Sequence, residues 1–321
     1  MSLFQRIAKV QAQQTQPSAS SARETSLMGN FPGGRVMTEP FGDYYLIEQR
    51  FSDQLSWPRV ETEQIYADLQ LVKGIGPVTE GELKTQGYAY LHQLAKHPQW
   101  GQLAGQIIQL IQQRKFRVLG QLGMADRHLL SFFQPQEVVC LDIESTGLWA
   151  SQPLFLVGIL YTDGEGLVVR QYLARNFAEE KPLLMALMRD LSKFSLLITY
   201  NGKRFDIPYI EGRNVEHRLF HKFDHSHIDL LHHARRHYKW ELPNCRLITL
   251  EEQLLNQYRQ GDVPGYLIPQ LYHQFTRSQD PNLIQGILEH NVLDLLALAK
   301  FIPLVEVCRY NPDRYNINIG D

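Results

Sequence analysis

The spacing of apolar residues changes along this chain, and each change marks an element. Ser2 to about Ala12 spaces its apolar residues as a short amphipathic helix does, and QAQQTQPSASSARETS after it holds almost nothing to bury. Such composition does not offset the entropy of ordering, so residues 1–30 are expected to be a disordered tail. Pro32-Gly33-Gly34 marks a turn, and GDYYLIEQRF (Gly42–Phe51) carries the aromatic and β-branched content of a strand. From Glu61 the period becomes helical, through Ile65, Leu69 and Leu71-Val72, and further helices are predicted over Trp100–Arg114 and Ala125–Phe133. Gln134-Pro135 then breaks the pattern. A boundary is placed near residue 130, leaving a mostly helical region over 31–130 and a second domain over 131–321.

Beyond that boundary strands and helices alternate. VVCLDIESTGL (Val138–Leu148) opens as an apolar strand and ends in a turn at Ser145-Thr146-Gly147. LFLVGILYT (Leu154–Thr162), the turn Asp163-Gly164-Glu165-Gly166 and LVVRQYLA read as two more strands joined by a hairpin. Glu179–Phe194 has helical spacing, SLLITY (Ser195–Tyr200) is a buried strand, and His225–Leu231 runs from a last strand into a helix. Helices over Pro243–Leu255, Pro269–Arg277 and Asn282–Val307 follow, with a loop at Gly261–Tyr266. Strands in hairpin order, a helix and a returning strand predict a mixed α/β sheet flanked by helices.

Composition narrows the class. A hydrophobic content of 44% in 321 residues is enough for sizeable cores, and the net charge of −2 offers no bulk attraction to nucleic acid or anionic membrane. Nucleic-acid contact must then use local patches. Cys140, Cys245 and Cys308 are far apart and form no CxxC pair, so they read as reduced thiols of a cytoplasmic protein. No secretory h-region and no stretch of ~18 unbroken apolar residues is present, so neither export nor membrane insertion is expected.

The chemistry gathers on acids. Alternation puts Asp142 and Glu144 on one face of a strand end, where two carboxylates repel and are costly to desolvate. A shared divalent cation explains such a pair, and so does an edge strand whose acids face water. Asp206 falls in the first turn of a predicted helix, after a strand that delivers Asn201-Gly202 and the basic Lys203-Arg204. His290 and Asp294 stand one turn apart on a helix face, a spacing shared by ordinary surface pairs. Arg213–Arg246 holds seven of the twelve histidines, and His225-Ser226-His227 lacks further ligands at metal-site spacing. That segment is read as a mildly basic surface, with Asp229 as a possible support to the acids.

In the helical region, Lys73-Gly74-Ile75-Gly76 separates two helices, with Thr79 as the expected N-cap of the second and Gly87 as its C-terminal stop. This stretch, about 61–95, resembles the helix-hairpin-helix motif of DNA-repair proteins, and an ordinary helical hairpin has the same pattern. Glycines let backbone approach backbone, and amides at a helix N-terminus suit a phosphate.

DIESTGL, YNGKRFD and HNVLD, in that order and at these spacings, make the chain resemble a ribonuclease H-like 3′–5′ exonuclease of the DEDD group, within its YprB-like branch, over about Gln136–Leu304. The resemblance implies a five-stranded mixed sheet and assigns Asp142, Glu144, Asp206 and Asp294 as ligands of two divalent cations, Mg²⁺ or Mn²⁺. It implies His290 as the residue that orients or deprotonates the attacking water. It also implies Thr146, Gly147 and Leu148 as the turn that meets the terminal nucleotide, with Asn201, Lys203 and Arg204 on the substrate. The expected substrate is single-stranded or 3′-tailed nucleic acid, hydrolysed at its phosphodiester bonds. One feature departs from the pattern: His290 has the three-residue spacing to Asp294 that the group's tyrosine type uses, and one residue rotates a helix position by about 100°. The rival reading is a binding or scaffolding module on the same fold that no longer cleaves. The presence of all four acids argues against it.

Overall fold

The computed structural model describes residues 33–57 and 59–307. The expected tail over 1–30 and its short helix lie outside the described residues, as do Pro32 and Cys308.

Strands β1 (Gly34–Glu39), β2 (Gly42–Phe51), β3 (Val138–Ser145), β4 (Leu154–Thr162), β5 (Leu167–Leu173), β6 (Leu196–Thr199) and β7 (Ser226–Asp229) form one sheet in the order β1-β2-β5-β4-β3-β6-β7. The pairs β3–β4 and β4–β5 are antiparallel, and β6 and β7 continue parallel to β3. These are the five strands the motifs imply. Two more extend the sheet beyond β5, where β2 pairs antiparallel from Tyr45 opposite Leu173 to Phe51 opposite Leu167. The sequence locates β2 but leaves its partner open. It does not announce β1, whose GRVMTE has little to bury and which is held by backbone pairing to β2.

Helices α1 (Thr62–Tyr66), α2 (Pro77–Thr85), α3 (Leu91–Leu94), α4 (Gly101–Gln112), α5 (Phe116–Gln121) and α6 (Asp126–Leu130) precede β3. Among those that follow are α7 (Glu180–Leu191), α8 (Asp206–Glu216), α9 (Leu230–Tyr238), α10 (Leu247–Leu254), α11 (Ile268–Ser278) and α12 (Pro281–Phe301). The N-cap of α2 is Gly76 rather than Thr79, because Pro77 carries the helical φ two residues earlier and has no backbone N–H to leave without an acceptor. Its other end is as expected. Gly87 adopts φ +93°, and the Tyr88 amide bonds back to Leu83 O while the Gly87 amide bonds to Lys84 O.

Alternation along β3 divides the core. Val139, Leu141 and Ile143 pack with Leu183 and Leu187 of α7 and Ile210 of α8. Val138 and Cys140 pack with Leu295, Leu296 and Phe301 of α12 and with Leu69, Leu91 and Leu119 of the N-terminal helices. The helical region before β3 therefore shares a core with the sheet.

Candidate functional site

Asp142 and Glu144 continue the even-numbered positions of β3, following Val138 and Cys140 onto the side crossed by α12. Asp142 pairs in register with Gly158 of β4. A Cβ at Gly158 would stand 2.1 Å from Asn291 Oδ1 and 2.6 Å from Leu295, so only glycine lets α12 lie this close. That approach brings Asn291 Nδ2 to donate to Asp142 Oδ2 at 2.8 Å, while Asn291 Oδ1 accepts from Gln171 Nε2 at 2.9 Å. Gln171 also donates to Leu288 O, so β5, α12 and β3 are tied through one buried polar chain.

Asp206 opens α8 and is 5% exposed. The loop that delivers it leaves β6 through Asn201 at φ +67°, and Asp229 accepts from the Asn201 amide at 2.8 Å and the Lys203 amide at 3.0 Å. Asp229 also caps α9 by accepting from the Leu231 amide. Its support of the site is thus positional: it fixes the loop from which Asp206, Lys203 and Arg204 arise. Lys203 and Arg204 are exposed.

His290 and Asp294 approach from α12. The imidazole lies with Nε2 4.0 Å from Glu144 Oε1 and 3.7 Å from Asp294 Oδ2, so the three-residue spacing does not turn this ring away from the acids. Its Nδ1 is 2.8 Å from Asp262 Oδ1. Arg259, whose side chain is 3% exposed, donates to Asp294 Oδ1, to Glu251 Oε2 and, at 3.0 Å, to Asp262 Oδ2.

These groups perturb one another. Burial, reinforced by the charges of Asp294, Glu144 and Asp206, holds the Asp142 carboxyl well above its usual range. Burial pushes Glu144 up to about 8, partly opposed by His290, and pushes Asp206 up to about 7, partly opposed by backbone amides. Burial lowers the His290 pKa, but the bond to Asp262 and the charges of Asp294 and Glu144 outweigh it and raise the ring to about 9. Excess negative charge is crowded into a partly buried place. The donors are carboxylate oxygens, which hard divalent cations select. Among the described residues, no three His, Cys, Asp or Glu side chains stand in ready ligand geometry, and Asp294 is paired with Arg259.

The turn residues divide by role. The Thr146 hydroxyl donates to Pro153 O at 3.0 Å and that of Ser145 to Gly147 O at 2.7 Å, so Thr146 and Gly147 shape the turn. Leu148 and Trp149 stand out from it, 77% and 75% exposed. Arg213 clamps this loop to α8 by donating to Ala150 O and to the buried Glu180. In the helical region Gly74 adopts φ +93°, its Cα side against the Trp100 ring, Ile75 is buried and Lys73 is exposed. His225 and His227 bond to Leu191 O and Thr199 Oγ1, which gives them structural partners.

Sequence reading missed Glu251, Arg259, Asp262 and Asn291. Asn291 sits inside the HNVLD segment, beside a residue already singled out. Glu251, Arg259 and Asp262 carry no local signal, because their meaning comes from a loop folding back onto α12.

A sequence model described as RNase_H superfamily matches residues 139–305, just over half of the chain. The chain is 34% identical over 182 residues to "Uncharacterized protein YprB" of Bacillus subtilis (strain 168), a match covering 56% of this chain and 44% of that protein. The matched part is thus less than half of that curated relative's length. A solved family B DNA polymerase from Pyrobaculum calidifontis aligns at 15% identity with a TM-score of 0.42, covering 55% of this chain and 26% of the polymerase. Among the described residues, no helix is long and apolar enough to cross a membrane.

Proposed function

Because the chain belongs to the RNase_H superfamily, we propose that it is a metal-dependent nuclease that removes nucleotides from the 3′ end of single-stranded or 3′-tailed nucleic acid. The observation that carries this reading is the convergence of Asp142, Glu144, Asp206 and Asp294 at one partly buried spot, where Asp142 feels the charges of the other three and His290 Nε2 lies 4.0 Å from Glu144 and 3.7 Å from Asp294. Folding gains nothing from such a concentration of charge, whereas a site for phosphodiester hydrolysis requires it. Asp142, Glu144, Asp206 and Asp294 would hold two divalent cations, Mg²⁺ or Mn²⁺, which when bound polarise the phosphate and supply an activated water.

The remaining roles belong to the chain. His290 presents Nε2 beside Glu144 and Asp294, where it would take or orient the proton of the attacking water, an effect of about 10²–10⁴-fold. Lys203 and Arg204 would pair with backbone phosphates, and the projecting Leu148 or Trp149 would wedge against the terminal base, the indole by stacking. Asn201 would set the course of that basic loop. Lys73 and the backbone of Gly74, Ile75 and Gly76 at the start of α2 would grip a phosphate at a distance without reading sequence, as a helix-hairpin-helix does. On this reading residues 31–130 form the substrate-holding part and residues 131–321 the cutting part. A cytoplasmic location accords with the free thiols of Cys140 and Cys245.

The test is cleavage of end-labelled single-stranded, duplex and 3′-tailed DNA and RNA with Mg²⁺ or Mn²⁺, beside Asp142→Ala and an EDTA control. Stepwise shortening from the 3′ end, absent in both controls, is expected. Binding without cutting by wild type would make the protein a nucleic-acid-binding module instead.

A further inference from the structure

The loop after α10 does more than connect two helices. Arg259 enters the interior from it and is held by Glu251 of α10 on one side and Asp294 of α12 on the other. Its Nη1 also donates to Asp262 Oδ2 at 3.0 Å, leaving Oδ1 of the same carboxylate for His290 Nδ1 at 2.8 Å. Val263 packs onto α12 at Gly286, where a Cβ would stand 2.6 Å from its Cγ2. The loop is therefore docked on the helix that carries His290, one turn before it.

Resting on the nuclease reading above, we infer that Asp262 is the positioning residue of His290, so that the neutral ring keeps its hydrogen on Nδ1 and turns a free Nε2 to Glu144 and Asp294 as a proton acceptor. A carboxylate only accepts, so the partner nitrogen must donate. Arg259 completes the device. A guanidinium only donates, so it keeps Asp262 Oδ2 engaged and leaves Oδ1 facing the ring.

The arrangement makes an unusual demand on the isosteric variant. In Asp262→Asn the amide oxygen must face Arg259, which has nothing but hydrogens to offer, and the NH₂ then faces His290. The ring must accept at Nδ1 and carry its hydrogen on Nε2, the wrong tautomer for a base. Shape and packing survive while the acceptor is lost.

Histidine-labelled full-length protein is compared by ¹⁵N–¹H NMR for wild type, Asp262→Asn and Asp262→Glu, with His290→Gln identifying the signal. Spectra are taken with Mg²⁺ present and followed upward in pH until the ring is neutral, where the nitrogen that keeps the hydrogen is read directly. Wild type and Asp262→Glu are expected to carry the hydrogen on Nδ1 and Asp262→Asn on Nε2. In the cleavage assay Asp262→Asn loses about 10²–10⁴-fold in kcat with KM unchanged. An Nε2–H ring in wild type, or one tautomer in wild type and Asp262→Asn alike, overturns the assignment, and the wild-type spectrum decides even where a variant does not fold. A KM rise with kcat intact also overturns it. Should wild type show the expected tautomer yet cleave nothing, the nuclease reading falls while Asp262 keeps its hold on His290.

Discussion

At the scale of single residues, the candidate site is a balance between charge and burial, which the proposed cations would reset. Asp206 and Glu144 have folded pKa values near 7 and 8, above their ordinary 3.8 and 4.5, so the native state binds more protons than the unfolded chain between those limits. Stability from these groups is present at acid pH and lost as pH rises through 7 and 8. His290 adds in the same direction: raised from 6.5 to about 9, it contributes below its unfolded value and loses that contribution as pH passes 9. Buried His227 and His233 act in the opposite sense only below about pH 6.5, where the unfolded chain protonates them, so the cation-free protein is expected to melt at progressively lower temperature from pH 7 to pH 9. Mg²⁺ is expected to raise the melting temperature most at the alkaline end, since it binds the ionised carboxylates of the folded state. Thermal scans in EDTA and in Mg²⁺ across that range test this, and a Mg²⁺ effect that does not vary with pH would sink it. Periodicity paired Asp142 with Glu144 and His290 with Asp294, while Asp206 and the grouping of all four acids were legible only through the resemblance of the motifs to a family. Asp262 and Arg259 were not, because they lie 28 and 35 residues from the side chains they touch.

At the scale of elements, the site depends on how closely α12 lies on the sheet. Gly158 sets that distance, and its neighbour across the gap is the Asn291 that bonds Asp142. Gly158→Ala would drive a methyl group into Asn291 and Leu295, and a forced fit of this kind costs about 1–3 kcal/mol. Gly105→Ala is the contrast. A Cβ there meets nothing within 4 Å inside α4, and removing unfolded-state freedom stabilises by about 0.4–1 kcal/mol. Denaturation midpoints should move in opposite directions, and cleavage should fall only for Gly158→Ala. A Gly158→Ala protein as stable and active as wild type would mean that α12 is free to shift. Periodicity located the long helix that carries His290 and Asp294, yet nothing in Gly158 announced that a helix would need its missing side chain.

At the scale of the molecule, the boundary near residue 130 divides the chain between α6 and β3 but does not divide its core. Leu69, Leu91 and Leu119 share a cluster with Val138, Cys140 and Phe301, and β2 from the N-terminal segment pairs with β5. Residues 131–307 expressed alone would expose that apolar face and leave β5 as an open edge. The full chain is expected to unfold in one transition by both tryptophan fluorescence and far-ultraviolet circular dichroism, with the truncated form aggregating or binding a hydrophobic dye. Two resolved transitions, or a soluble and cooperative fragment, would show the helical region to be an independent domain.

Strand alternation, helix period and turn chemistry are short-range rules, and they made the local elements around β3 and the mixed α/β class readable along the chain. The same rules placed Asp142 beside Glu144 and His290 one turn from Asp294, whereas the grouping of the four acids into one site came from the resemblance of the motifs to a family. That β1 and β2 extend the sheet, that the helical region shares its core, and that His290 turns toward the acids with Asp262 and Arg259 behind it emerge only in the folded molecule. Those outcomes come from surfaces brought together across long stretches of chain, where shape and the pairing of buried charges choose the partner and local spacing carries no record of the choice.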